Sequence, residues 1–144
     1  MFPAMEARAK LVADVALFAG DQVLLVKYED TSRYDGQKGW FLPDDYLADV
    51  EHPRDAAARI VREQAGFEPN DLELADIESF GNGAWHLIFH FRGSLPEATP
   101  PTQGDNVAAA QWFSLEDLPP AEEVAHHGWA LDVIAKVLGE VRPA

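Results

Sequence analysis

The sequence predicts a mixed α/β (α+β) fold in a single domain, residues 1–144, on three observations. The predicted elements run strands, helix, strands, helix, which is the pattern of a mixed sheet with helices packed on it. The central helix is bracketed by Pro53 at its start and Gly66 just past its end. With 144 residues, 47% of them apolar, the chain is long enough to bury one sizeable core.

The elements follow in order. "LVADVALFA" (Leu11–Ala19) and "QVLLVKY" (Gln22–Tyr28) are apolar runs parted by Gly20-Asp21, the spacing of a tight β-hairpin. "EDTSRYDGQKG", Glu29 to Gly39, is a polar loop. "WFLP" is a short strand that stops at Pro43, where the backbone donor is missing, and the acidic loop "DDYLADVEH" follows. The helix Pro53–Ala65 comes next. A second hairpin pairs Leu72–Phe80 with Ala84–Arg92 around Gly81-Asn82-Gly83. In its second strand Trp85, Leu87, Phe89 and Phe91 alternate onto one face, and His86, Ile88, His90 and Arg92 take the other. After the Pro-rich loop Ser94–Asn106, "AAAQWF" (Ala108–Phe113) is the last strand. A final helix spans about Pro120 to Val141, with Val124, Leu131, Ile134 and Leu138 at helical spacing.

Charge excludes some partners. Eleven basic residues against 25 acidic ones leave a formal net charge of −14. That field repels nucleic acid polymers and anionic lipid and favours solubility; a small phosphate stays compatible where a divalent cation screens it. No apolar run reaches the roughly 18 residues of a membrane span, and no apolar signal core opens the chain, so a cytoplasmic protein is expected. Cysteine is absent, which rules out disulfides and thiolate metal sites.

The helix "DAAARIVREQAGF" (Asp55–Phe67) carries an anomaly. At about 100° per residue, Ala56, Ala57, Ile60, Val61 and Ala65 form one apolar arc, and Gln64 lies near its centre. A polar side chain there must find a partner or cost about 1–3 kcal/mol, so Gln64 either bonds backbone beneath the helix or faces a wet pocket.

This stretch resembles the signature of the Nudix hydrolases, G-x5-E-x7-R-E-U-x-E-E-x-G-U with U a bulky apolar residue. Anchored on Gly66 and Phe67, the register puts Asp45 at the leading glycine, Glu51 at the first glutamate, Arg59 at the arginine, Val61 at the first apolar position and Glu63 at a helical glutamate. Ile60 and Gln64 replace the other two helical glutamates, and Pro43-Asp44-Asp45 stands for the family's PGG. The leading hairpin, "WFLP" and "AAAQWFSLEDLP" extend the resemblance over roughly Leu11 to Pro119.

The resemblance implies a mixed sheet sandwiched between helices, α/β/α, and hydrolysis of nucleoside diphosphate derivatives with Mg²⁺ or Mn²⁺ held by helical glutamates. Hard cations need several oxygen ligands, and the diphosphate charge needs neutralising. Of that ligand set Glu63 remains. The structural members Arg59, Glu51 and Gly66 are kept. The expected function is therefore a Nudix-fold protein with weak or lost metal-dependent hydrolysis, acting as a ligand-binding or interaction module. The alternative is an active pyrophosphohydrolase with a rewired Mg/Mn site drawn from Asp44, Asp45, Glu51 and Glu63, with Asp49 nearby; the bland reading is that these acids solvate a loop.

Other candidates are weaker. Many members of the family place an acid in the loop before the last strand, and Asp105 is the candidate base there beside Glu63; "GDN" is equally a good turn. Tyr28 and Tyr34 are candidates to stack a flat group, while Phe41 and Trp85 are expected in the core. Arg33 and Lys38 flank the loop leading to the family's cleft and are candidate phosphate contacts, with Lys27 and Arg92 behind them. His86 and His90 share a strand face without an evident third ligand, and are expected to be surface or half-buried histidines. A small phosphorylated ligand and a homodimer are the partners the resemblance allows.

Overall fold

The computed structural model describes residues 8–81 and 83–139; the turn residue Asn82 and the far end of the last predicted helix, Val141, lie outside them. Among the described residues the strands are β1 (Ala9–Ala19), β2 (Gln22–Tyr28), β3 (Asp44–Tyr46), β4 (Asn70–Gly81), β5 (Trp85–Ser94) and β6 (Val107–Ser114), with helices α1 (Pro53–Ala65) and α2 (Ala125–Val137). The strands form one mixed sheet in the order β4-β5-β1-β2-β6, and β3 pairs with β1 beside that path. The β1–β5 ladder is parallel from Ala9↔Trp85 to Phe18↔Ser94; the other pairings are antiparallel.

Alternation along the strands divides the core in two. Val15, Leu17, Leu24 and Phe91 face α1 through Ala57, Val61 and Ala65. Ala16, Phe18, Val23 and Leu25 face α2 through Val133, Ile134 and Val137. The result is the expected α/β/α sandwich. Each such fully buried Leu, Val or Phe contributes about 1.5–3 kcal/mol relative to exposure. No described helix is long and apolar enough to cross a membrane.

α1 ends as its sequence predicts. Gly66 adopts φ 78° and its N–H donates to Arg62 O at 3.0 Å, a left-handed cap that favours glycine. Its start holds a feature the sequence reading did not include: the Nδ1 of His52 accepts from the Arg54 N–H at 3.0 Å, in the place of a usual oxygen cap.

Two elements differ from expectation. "WFLP" makes single bridges rather than a strand: Phe41 to Val26, and Trp40 to Val124. The strand comes immediately after, at Asp44–Tyr46, because β1 pairs with β2 only at Phe18↔Val23 and Ala19↔Gln22. Its earlier backbone groups need partners, and β3 supplies them from Val12↔Tyr46 to Asp14↔Asp44. The predicted helix from Pro120 is likewise broken. Ala121–Glu123 is a 3-10 turn, and Val124 is extended and buried against Trp40. His126, His127 and Gly128 then take left-handed backbone before the helix proceeds. The latch is the pair of bonds Trp40 N–H to Glu123 O and Ala125 N–H to Trp40 O, both 3.0 Å. It brings the backbone so close to Gly39 (φ +106°) that a Cβ there would lie 2.6 Å from Glu123 O.

Candidate functional site

The corner between β3 and α1 is organised by Arg59. Its Nε reaches Glu51 Oε2 at 2.9 Å and its Nη2 reaches Glu51 Oε1 at 3.1 Å, a bidentate pair. Nη1 bonds Glu63 at 3.0 Å and lies 3.5 Å from Asp45, and Nη2 also donates to Tyr46 O at 3.0 Å. The guanidinium holds the Glu51 carboxyl below the usual carboxylate range, and Glu51 Oε1 closes the loop by accepting from Ala48 N–H at 2.9 Å. Asp45 has a second cation, Arg33, at 2.9 Å, and accepts from Tyr46 N–H at 2.7 Å.

Gln64 resolves the anomaly in the helix. It is buried, its Oε1 accepts from the Tyr28 hydroxyl at 2.8 Å, and its Nε2 donates to Asp44 O at 2.8 Å. The Tyr28 oxygen in turn accepts from Asp44 N–H at 3.0 Å. Gln64 thus ties α1 to β2 and to the start of β3. Ile60 is wholly buried with Ala13 and Ala56, and Leu47 and Phe89 pack against them.

A divalent cation fits this corner poorly. Ile60 has no donor atom, and both ends of Gln64 are committed. Glu51, Glu63 and Asp45 are each paired with arginine. Among the described residues no three His, Asp or Glu side chains come together so as to hold a metal ion.

Beside the corner, on the α2 side of the sheet, lies a cleft of about 500 Å³. Tyr34, Phe41 and Tyr46 line one part; Phe80, His86 and Trp129 line another. Lys10, Arg33, Asp35, Asp44 and Asp45 supply its charge. The left-handed segment at His126–Gly128 swings His126 and Trp129 to its wall, so backbone strain is spent where the cleft is built. Burial pulls the His126 imidazole down, with Asp35, 3.6 Å away, opposing.

Behind this wall is a buried polar cluster. His90 Nδ1 lies 2.7 Å from Asp14 and its Nε2 2.6 Å from Glu78. Burial pulls the imidazole down, but the two carboxylates more than offset it and the net shift is upward. Burial pushes the Asp14 carboxyl up, and its Oδ2 has no hydrogen-bond partner among the described residues.

The sequence candidates therefore part company. Arg33, Asp44 and Asp45 border the cleft; Arg59, Glu51 and Glu63 form the adjoining network. Tyr28 is buried beneath, stacked on Tyr34 at 4.0 Å. Lys38 is exposed and outside the cleft lining, as is Asp105 in its turn. Asn106 braces the opposite loop by bonding both the N–H and the C=O of Asp30. Lys27 sits over the Trp40 ring at 4.6 Å, and Arg92 donates to Val137 O at the end of α2. Two expectations are corrected. His90 is fully buried rather than at the surface or half-buried, because two carboxylates solvate it. Trp85 is 41% exposed rather than in the core, since among the described residues no helix covers that end of the sheet, and its Nε1 donates to Ser79 Oγ. The sequence reading missed Asp14, Glu78, Lys10, Phe80 and Trp129. Of these only Asp14 had a signal, as the lone charge inside the apolar run "LVADVALFA".

Residues 8–133 match the family profile described as NUDIX domain. The fold is similar to that of a NUDIX hydrolase from Nitrosomonas europaea, with TM-score 0.75, 20% identity, and 94% of this chain and 92% of that one covered. It is similar to the NUDIX domain of Shewanella oneidensis NrtR, solved with ADP-ribose, with TM-score 0.75, 18% identity, and coverage of 95% and 91%. A MutT/nudix family protein from Enterococcus faecalis aligns with TM-score 0.67 and 21% identity over 79% of this chain, which spans only 46% of that longer protein. No curated protein matches in a sequence comparison. Enzymes of the family generally use divalent metals such as Mg²⁺ or Mn²⁺. With most of its length matched by the profile and its fold similar to that of these neighbours, the chain belongs to the Nudix family.

Proposed function

We propose that this Nudix domain is a ligand-binding module for a small phosphorylated compound, with metal-dependent diphosphate hydrolysis weak or lost. The observation that carries this reading is the corner around Arg59, where Glu51, Glu63 and Asp45 are each paired to an arginine while Ile60 is packed into the core. Even about 1.4 kcal/mol for each of two missing ligands lowers metal affinity a hundredfold. A cleft able to hold a small ligand remains beside that corner, and the similar NrtR domain, solved with ADP-ribose, supports a phosphorylated one.

A second reading, an active pyrophosphohydrolase whose metal sits on Asp44, Asp45, Glu51 and Glu63, draws on Asp44, whose buried carboxyl borders the cleft. One assay separates the two. ADP-ribose is bound by calorimetry with and without Mg²⁺ or Mn²⁺, and its hydrolysis is followed at millimolar metal. Metal-independent binding with negligible turnover is expected. Saturable turnover, or micromolar Mn²⁺ binding that Asp45→Ala abolishes, establishes the rewired enzyme instead.

A further inference from the structure

The cleft has opposed polarity from floor to rim. Asp44 is 6% exposed, borders the cleft, and no hydrogen-bond donor among the described residues reaches its carboxylate. The charges that act on it are Asp14, Asp45 and Asp35, all negative. Along the cleft the rings of Tyr34, Phe41, His126 and Trp129 follow one another at centroid separations of 5.4, 6.1 and 6.1 Å. The cations are elsewhere, on the exposed side chains of Lys10 and Arg33.

A buried carboxylate without a donor is costly, and a ligand that brings a positive charge relieves it. A metal ion is a poor match because it demands several oxygen ligands. An organic cation needs no ligand set, sheds its hydration more easily, and is attracted to the faces of aromatic rings. We propose that the cleft takes a phosphate ester whose other end is an organic cation of the quaternary ammonium type, its cationic head against Asp44 among Tyr34, Phe41 and Trp129, and its phosphate at the rim on Arg33 and Lys10. This assignment rests on the phosphorylated-ligand reading above and adds the chemistry of the other end. It also fixes the orientation of the ligand: reversed, the phosphate would lie against the buried Asp44 carboxyl.

The test compares phosphocholine with 3,3-dimethylbutyl phosphate, which has the same shape with carbon in place of the charged nitrogen. Both are titrated calorimetrically into the full chain without divalent metal, with ADP-ribose as reference. Phosphocholine is expected to bind at least tenfold more tightly than its counterpart with the uncharged head. Asp44→Asn is expected to remove that preference, bringing the two esters within about twofold of each other, and a thermal melt checks that the variant folds. Equal affinity of the two esters in the wild-type protein overturns the cationic head and needs no variant. Binding of ADP-ribose but of neither ester does the same and leaves the phosphorylated-ligand reading standing. If none of the three binds, that reading falls and this inference with it.

Discussion

Gln64 is a structural residue, and this decides what a glutamate at its position would do. Its amide donates to Asp44 O and accepts from Tyr28, and a carboxylate can do only the second. Gln64→Glu sets an acceptor against a buried carbonyl and is expected to cost about 1–3 kcal/mol, read by urea denaturation. Ile60→Glu buries a charge among Ala13, Ala56 and Phe89 and is expected to cost more than about 3 kcal/mol. A double variant that melts at the wild-type temperature would show that the corner tolerates carboxylates. Val50 is the opposite case. It is 95% exposed at φ 62°, a backbone that branched side chains resist, and Val50→Asn is expected to stabilise by about 1 kcal/mol and raise Tm by a few degrees. Sequence position alone flagged Gln64, because a polar group stood in an apolar stripe. It did not supply the partners, which lie 36 and 20 residues away on other strands.

At the scale of elements, Arg59 fastens α1 to the loop and to β3. Losing a half-buried bidentate arginine leaves Glu51, Asp45 and Glu63 facing one another, so Arg59→Leu is expected to destabilise by about 2 kcal/mol. Added salt screens that mutual repulsion and is expected to narrow the gap between variant and wild type. The pH dependence has a definite sign. Because Arg59 depresses the Glu51 pKa, the pair's stability is present above the ordinary carboxylate value and is lost as pH falls through the lowered one. Acid melts should therefore show a loss below about pH 4.5 that is smaller in Arg59→Leu. The same variant frees Glu51 and Glu63, while Asp45 keeps Arg33, and is expected to raise Mn²⁺ affinity; unchanged affinity would remove arginine occupancy as a ground for expecting weak metal binding. α1 was legible to the residue, since its Pro, apolar arc and Gly are local signals. The "WFLP" segment and the start of α2 were not, because their conformations are set by the Trp40–Val124 bridge between distant parts of the chain. Helical spacing from Val124 onward could not reveal that Val124 itself is extended.

For the molecule as a whole, the buried cluster joins three adjacent strands, with Asp14 on β1, Glu78 on β4 and His90 on β5, and the Trp129 ring from α2 packs 5.6 Å from the imidazole. It supports the sheet directly behind the cleft, and its protonation should set how stability varies near neutral pH. His90 has a folded pKa raised above its ordinary 6.5, so its contribution is fully present below about pH 6.5 and is lost as pH rises through the folded value. Burial pushes Asp14 up as well, which acts in the same direction because ionising it costs more in the fold. One proton released on unfolding gives a slope of at most about 1.4 kcal/mol per pH unit. The net charge of −14 also disfavours the compact state as histidines deprotonate, so the wild-type slope alone is not diagnostic. The informative quantity is the difference from His90→Gln, which keeps polar contacts but cannot titrate. Urea denaturation from pH 6 to 9 is expected to show wild-type stability declining with pH and a flatter His90→Gln profile. The two should converge at the alkaline end, where the wild-type advantage from the charged imidazole is gone. Parallel profiles would mean that His90 binds its proton equally in the folded and unfolded chains at each pH, and that the cluster acts through packing and hydrogen bonding alone.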